Sequence, residues 1–177
     1  MPQLCDDLLI QARELVLKDK RKPRQATVRR AVSTSYYALF HFFSDKVTRA
    51  IIGGQNDFAE VRSWQARALE HGVMKKVCKF FGNTSDPVFQ DFETKLNFTT
   101  PPEIARIAQA FVELQELRHD ADYDLSEPIT KSDATKAIQQ TDLAFRLWNA
   151  LEQQQQHSKM LLIFSLSLLG GKTSAKR

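Results

Sequence analysis

Apolar side chains recur at three- and four-residue steps along most of this chain, the spacing of one face of a helix. Leu8, Ala12, Leu15 and Val16 mark a first amphipathic helix from about Leu4 to Lys18. Asp6 and Asp7 fall in its first turn and the basic run begins at its end, the charge order that a helix dipole favours. Val28, Val32, Ser35, Leu39, Phe42 and Val47 mark a longer helix from about Gln25 to Ile52. Its second half, Tyr36 to Phe43, is apolar on most sides, which suits the centre of a bundle or a subunit interface. Gly53-Gly54 and Asn56-Asp57 then stop it.

A third helix is expected from about Phe58 to Phe81, with Val61, Trp64, Ala68, Val73, Val77 and Phe80 or Phe81 inward and Gly72 as its point of kinking or division. Thr84 to Pro102 reads as a long, mostly irregular loop pinned to the core by Phe89, Phe92 and Phe98. Thr100-Pro-Pro-Glu103 opens a fourth helix with a threonine cap and prolines where a missing N–H is harmless. Ile104, Ile107, Ala108, Phe111 and Leu114 continue that helix until Ser126-Glu-Pro128 breaks it. A fifth starts at Lys131-Ser132-Asp133, turns Ala137, Thr141, Ala144, Leu147, Trp148 and Leu151 inward, and dissolves at Gln153 to Gln156. The pattern therefore predicts an all-α chain.

Composition agrees with this and narrows the class. With 177 residues, 42% hydrophobic and 26% charged, the chain has the size and make-up of one folded domain that needs neither disulfides nor metal to form a core. Only six glycines and six prolines punctuate it, too few for many short strands. Cys5 and Cys78 form no CxxC pattern, and Met1 to Asp7 is acidic without an apolar core, so a reducing, cytoplasmic location is expected. The net charge of +4 permits nucleic-acid binding without demanding it. Seven basic side chains and one acid lie between Lys18 and Arg30, either a solvated connection or a strip that meets phosphate. Met160 to Leu169 is almost wholly apolar yet only about half the length of a membrane-spanning helix. It either covers an exposed core edge, enters a partner, or extends without structure.

The densest chemistry is Glu113 to Leu125. Arg118 and Asp122 are four residues apart, so a helix sets them on one face with Tyr123 beside them, as a helix ion pair or as a small polar site. Arg30 to His41, His71-Gly-Val73 and Leu117-Arg-His-Asp-Ala-Asp-Tyr123 together resemble the HEPN superfamily, all-helical nucleotide-binding domains, and within it the small stand-alone bacterial proteins. The likeness rests on the Tyr-Tyr-Ala-x-Phe-His and Arg-x-x-Ala-Asp-Tyr runs and covers roughly residues 4 to 152. It implies an up-and-down bundle of four to five helices over residues 1–155, followed by an apolar then basic tail over 156–177. It also implies a homodimer with the helix-four motifs facing each other, and a setting of RNA cleavage, toxin–antitoxin pairs or defence. A nucleotidyltransferase-type antitoxin is an implied partner.

The family's catalytic signature is an arginine and a histidine with four to six residues between them. Here that window holds Tyr123, Asp124 and Leu125. Metal-free RNA cleavage needs one group to take the 2′-hydroxyl proton and another to protonate the leaving oxygen, and histidine suits both. Tyrosine can donate a proton but is a poor base at neutral pH. Arg118 still offers a two-pronged phosphate contact. Arg118 and Tyr123 are therefore the candidate catalytic pair, and Arg118, His71, Lys75 and Arg30 the candidate contacts to RNA or nucleotide. Asp122, Tyr36, Tyr37 and His41 are expected as a structural cluster, with His41 packed among Phe40, Phe42 and Phe43. His119 and His157 are expected to be exposed without a special role. Asp120, Asp122 and Asp124 diverge on a helix, so no metal is expected, and without a P-loop or dinucleotide fingerprint no cofactor either. The expectation is recognition of RNA or nucleotide, with a metal-independent ribonuclease and a purely structural dimerisation or protein-interaction module as alternatives.

Overall fold

The computed structural model describes residues 4–18 and 23–170; Asp19 to Lys22 of the basic run and the basic end of the tail, 171–177, lie outside the described residues. The described chain is all-helical. Its helices are α1 (Leu4–Lys18), α2 (Gln25–Ile52), α3 (Ala59–Ala66), α4 (His71–Gly82), α5 (Pro87–Leu96), α6 (Pro102–Tyr123), α7 (Lys131–Glu152) and α8 (Ser158–Gly170), with short 3-10 turns at Asn56–Phe58 and Gln155–His157. No helix among the described residues is long and apolar enough to cross a membrane.

The chain divides into two units. The first takes residues up to Phe42 and from Ala110 to Arg146, and is a bundle of α1, the first part of α2, the last part of α6 and most of α7. Cys5, Leu9, Ala12 and Val16 of α1 are buried there, as are Val28, Val32, Tyr36 and Leu39 of α2 and Phe111 and Leu114 of α6. Thr141, fully buried on α7, donates its hydroxyl to the carbonyls of Ala137 at 3.0 Å and Ser35 at 3.1 Å, so a polar side chain crosses the core with its hydrogen bond made. α7 starts with a capping box. Thr130 Oγ1 accepts from the Asp133 N–H at 3.1 Å, and Asp133 accepts from the Thr130 N–H at 2.8 Å.

The second unit takes Phe43 to Gln109 and residues from Leu147 onward. Its core is aromatic: Phe81, Phe89, Trp148 and Phe164 are buried, and the Phe81 and Phe164 ring centroids are 4.9 Å apart. Phe164 belongs to α8, whose Met160, Leu161, Ser165 and Leu168 are also buried. The apolar segment 160–169 thus covers a core edge, the first of the three fates open to it.

Four sequence expectations are corrected in this unit. The expected third helix is two helices, α3 and α4, and they part at 67–70, where Leu69 plugs inward, not at Gly72. Val61 and Trp64 do not face a core: α3 buries none of its residues, and Trp64 is 70% exposed. The expected loop from Thr84 to Pro102 contains α5. Asp86 caps it by accepting from the Val88 N–H at 2.8 Å, Pro87 occupies the first turn, and Asn97 ends it in the left-handed region at φ 52°. Thr100 is also not the cap of α6, because its buried hydroxyl has no hydrogen-bond partner and its N–H instead meets Glu93 Oε1.

Candidate functional site

Arg118 stands in the last two turns of α6, in the first unit. Its side chain is 22% exposed, and its Nε lies 2.6 Å from Asp122 Oδ2, one turn on. This contact is electrostatic, since the N–H is not aligned on that oxygen. The same guanidinium donates from Nη2 to the Tyr37 hydroxyl at 2.9 Å. Its Cζ lies 5.4 Å from the Tyr123 ring, 5.5 Å from Tyr37 and 6.0 Å from Tyr36, within the range of cation–π attraction. Burial acts to lower the Arg118 pKa, but Tyr37, Asp122 and Tyr123 outweigh it and raise the pKa above its ordinary value. Arg118 therefore stays protonated, its charge paired with the Asp122 carboxylate.

Asp122 is itself anchored. Ser33 of α2 donates to its Oδ1 at 2.5 Å, while Oδ2 faces Arg118. Tyr36 is buried against Phe111 at 5.6 Å, and its ring meets that of Tyr37 edge-on at 5.5 Å. Arg118, Asp122, Tyr36 and Tyr37 are thus brought together, as Ser33 is. His41 is not part of these contacts; it is half-buried with its ring against Phe40 at 5.7 Å, and burial lowers its pKa.

Tyr123, at the end of α6, is 65% exposed, so one aromatic ring beside the guanidinium faces solvent. The His119 ring lies 5.2 Å from it and is exposed too. The sequence leads one to expect His119 to be exposed without a special role. The helix turns it toward Tyr123, an i to i+4 relation that the spacing contains. The three aspartates go to separate partners: Asp122 to Ser33 and Arg118, Asp124 to the Ser126 N–H and hydroxyl, which lower its pKa, and Asp120 toward His119.

The end of α6 needs support, because it carries acids and no base in its last turn, against the sense of the helix dipole. Arg29 of α2 supplies it. Its Nη1 donates to the carbonyls of Asp120 at 3.2 Å, Ala121 at 3.1 Å and Asp124 at 2.6 Å, and its Nη2 to Glu127 at 2.7 Å. One turn earlier, Gln25 exchanges hydrogen bonds with the backbone of Ile129. Arg30, the neighbour read as a phosphate contact, is exposed. His71 and Lys75 lie on α4 in the second unit, at its first and second turns.

The arrangement offers a held cation and an exposed aromatic face. A phosphate oxygen can meet the Arg118 guanidinium, and a planar base can stack on the Tyr123 and His119 rings. Searches of protein-family models, curated proteins and solved structures give no match to this chain.

Proposed function

We propose that the chain is a HEPN-like helical protein that binds single-stranded RNA or a nucleotide at the Arg118/Tyr123 patch, as a homodimer in a toxin–antitoxin or defence setting. The observation that carries this reading is the exposed Tyr123 ring 5.4 Å from a guanidinium held by Asp122 and Tyr37. Base stacking on an aromatic ring and a charged contact to phosphate are the two terms from which sequence-tolerant binding to single strands is built. The motif resemblance supplies the biological setting, the dimer and the antitoxin partner.

A ribonuclease is the second reading, favoured by the His119 ring 5.2 Å from that of Tyr123, since an imidazole beside the patch is the kind of side chain that general acid–base cleavage of RNA uses. Incubation of end-labelled RNA with the protein and with its Arg118→Ala, His119→Ala and Tyr123→Phe variants decides between them. Binding without turnover is the outcome expected here. Cleavage abolished in the His119 variant establishes the enzyme.

A further inference from the structure

A cavity of about 280 Å³ opens in the second unit between the ends of α2 and α7 and the first turns of α8. Trp148, Leu161 and Leu162 give it apolar walls, and Ala50, Glu152 and Ser158 form its exposed mouth. An engineered apolar cavity of about 150 Å³ holds benzene, so this space takes a ring of that size with a short substituent.

Its polar lining is almost entirely engaged by the protein. Glu152 accepts from the Trp148 indole N–H at 2.9 Å on one oxygen and faces Lys46 Nζ at 2.5 Å on the other. Ser158 donates to the Gln155 carbonyl at 2.8 Å. The exception is Ser165, wholly buried, whose hydroxyl has no hydrogen-bond partner. A serine inside a helix ordinarily turns its hydroxyl to the carbonyl one turn back. Two residues further along α8, Ser167 does so, donating to Ile163 at 2.8 Å, and Ser35 and Thr141 on other helices do the same with Ala31 and Ala137. A buried hydroxyl left unmade costs about 1–3 kcal/mol. Ser165 lies in the cavity wall, so the unpartnered hydroxyl belongs to the lining.

We infer that this cavity binds a small, uncharged, largely apolar molecule that makes one hydrogen bond, to Ser165. Neutrality follows from the mouth, where the Lys46 and Glu152 charges cancel each other. A single polar group follows from the lining, where only the Ser165 hydroxyl lacks a partner. The site is separate from the Arg118 patch in both residues and chemistry.

The test uses 4-ethylphenol and ethylbenzene, alike in shape and different by one hydroxyl. Binding is read from the indole N–H resonance of Trp148, which is distinguished from that of Trp64, the other tryptophan, by a Trp64→Phe background. The wild-type cavity should shift that resonance saturably with both and bind 4-ethylphenol about fivefold tighter, the worth of one net hydrogen bond. Ser165→Ala should erase the preference while keeping ethylbenzene binding. Leu162→Trp, at a position 40% exposed and so tolerant of a larger side chain, should block both ligands. No saturable shift with either ligand at millimolar concentration, or a preference for the phenol that persists in Ser165→Ala, overturns the inference.

Discussion

The Arg29 guanidinium donates to the Asp124 carbonyl oxygen at 2.6 Å, so a residue of α2 closes the end of α6 from outside that helix. Three further carbonyls, those of Asp120, Ala121 and Glu127, take the same guanidinium. Charged hydrogen bonds of this kind contribute about 1.5–3 kcal/mol. Arg29→Ala should therefore lower unfolding free energy in urea by about 2–3 kcal/mol. Arg29→Lys, which cannot fork between carbonyls, should recover less than half. The adjacent exposed Arg30→Ala should stay within about 0.5 kcal/mol of wild type.

Asp122 holds Arg118 in place but also places a negative charge beside the proposed phosphate position. Asp122→Asn keeps an acceptor for Ser33 and removes that charge. Stability should fall by about 1 kcal/mol, the scale of one hydrogen-bonded contact. RNA affinity at low salt should rise, measured by fluorescence anisotropy on the same preparation. A fall in both quantities would mark the cluster as structural only.

The capping box of α7 gives a pH dependence with a defined sign. Hydrogen bonds from the Thr130 side chain and backbone hold the Asp133 carboxyl below its ordinary pKa. A depressed native pKa means stability that is complete above the unfolded value, about pH 4, and fades as pH falls through the native value. Asp133→Asn should therefore cost about 1 kcal/mol near pH 6, the usual worth of a cap, and progressively less below about pH 4. Urea melts of both proteins across that range measure the convergence.

α8 is part of a core, so removing its central aromatic has a large cost. Phe164 is fully buried against Phe43, Phe81 and Trp148. Phe164→Ala should lose about 3–5 kcal/mol, and deletion of the chain from Ser158 should expose enough apolar surface to bind a hydrophobic dye. Leu166→Ala, at a position 48% exposed, should be nearly silent in the same melts.

Helices with long apolar stripes were legible: α1, α2, α6 and α7 begin and end close to where their spacing and stop residues place them. α5 was not, because Asp86-Pro87 and Asn97 serve a loop and a short helix equally well, and its buried residue Phe89 is a single periodic mark. Trp64 shows the opposite failure. Its stripe is regular, yet nothing in the sequence says that α3 has no core to face. Within the site, Arg118 and Asp122 could be paired from four-residue spacing and Tyr37 grouped with Asp122 through its motif, whereas Ser33 comes from a helix far away in the chain with no motif or spacing to point to it. Arg29 and Arg30 are indistinguishable in the sequence; about 100° of helix rotation sends one to the α6 carbonyls and the other to solvent.

The most direct measurement is the salt dependence of single-stranded RNA binding, by anisotropy, for wild type, Arg118→Ala and Tyr123→Ala, each shown to be folded by its melt. Wild type should bind with log K falling linearly in log salt. Arg118→Ala should reduce that slope by about 0.7, one phosphate contact on a single strand. Tyr123→Ala should weaken binding by about 1–3 kcal/mol with the slope unchanged, as loss of one stacked base requires. Absence of salt-dependent binding, or folded variants that bind as wild type does, would contradict the account.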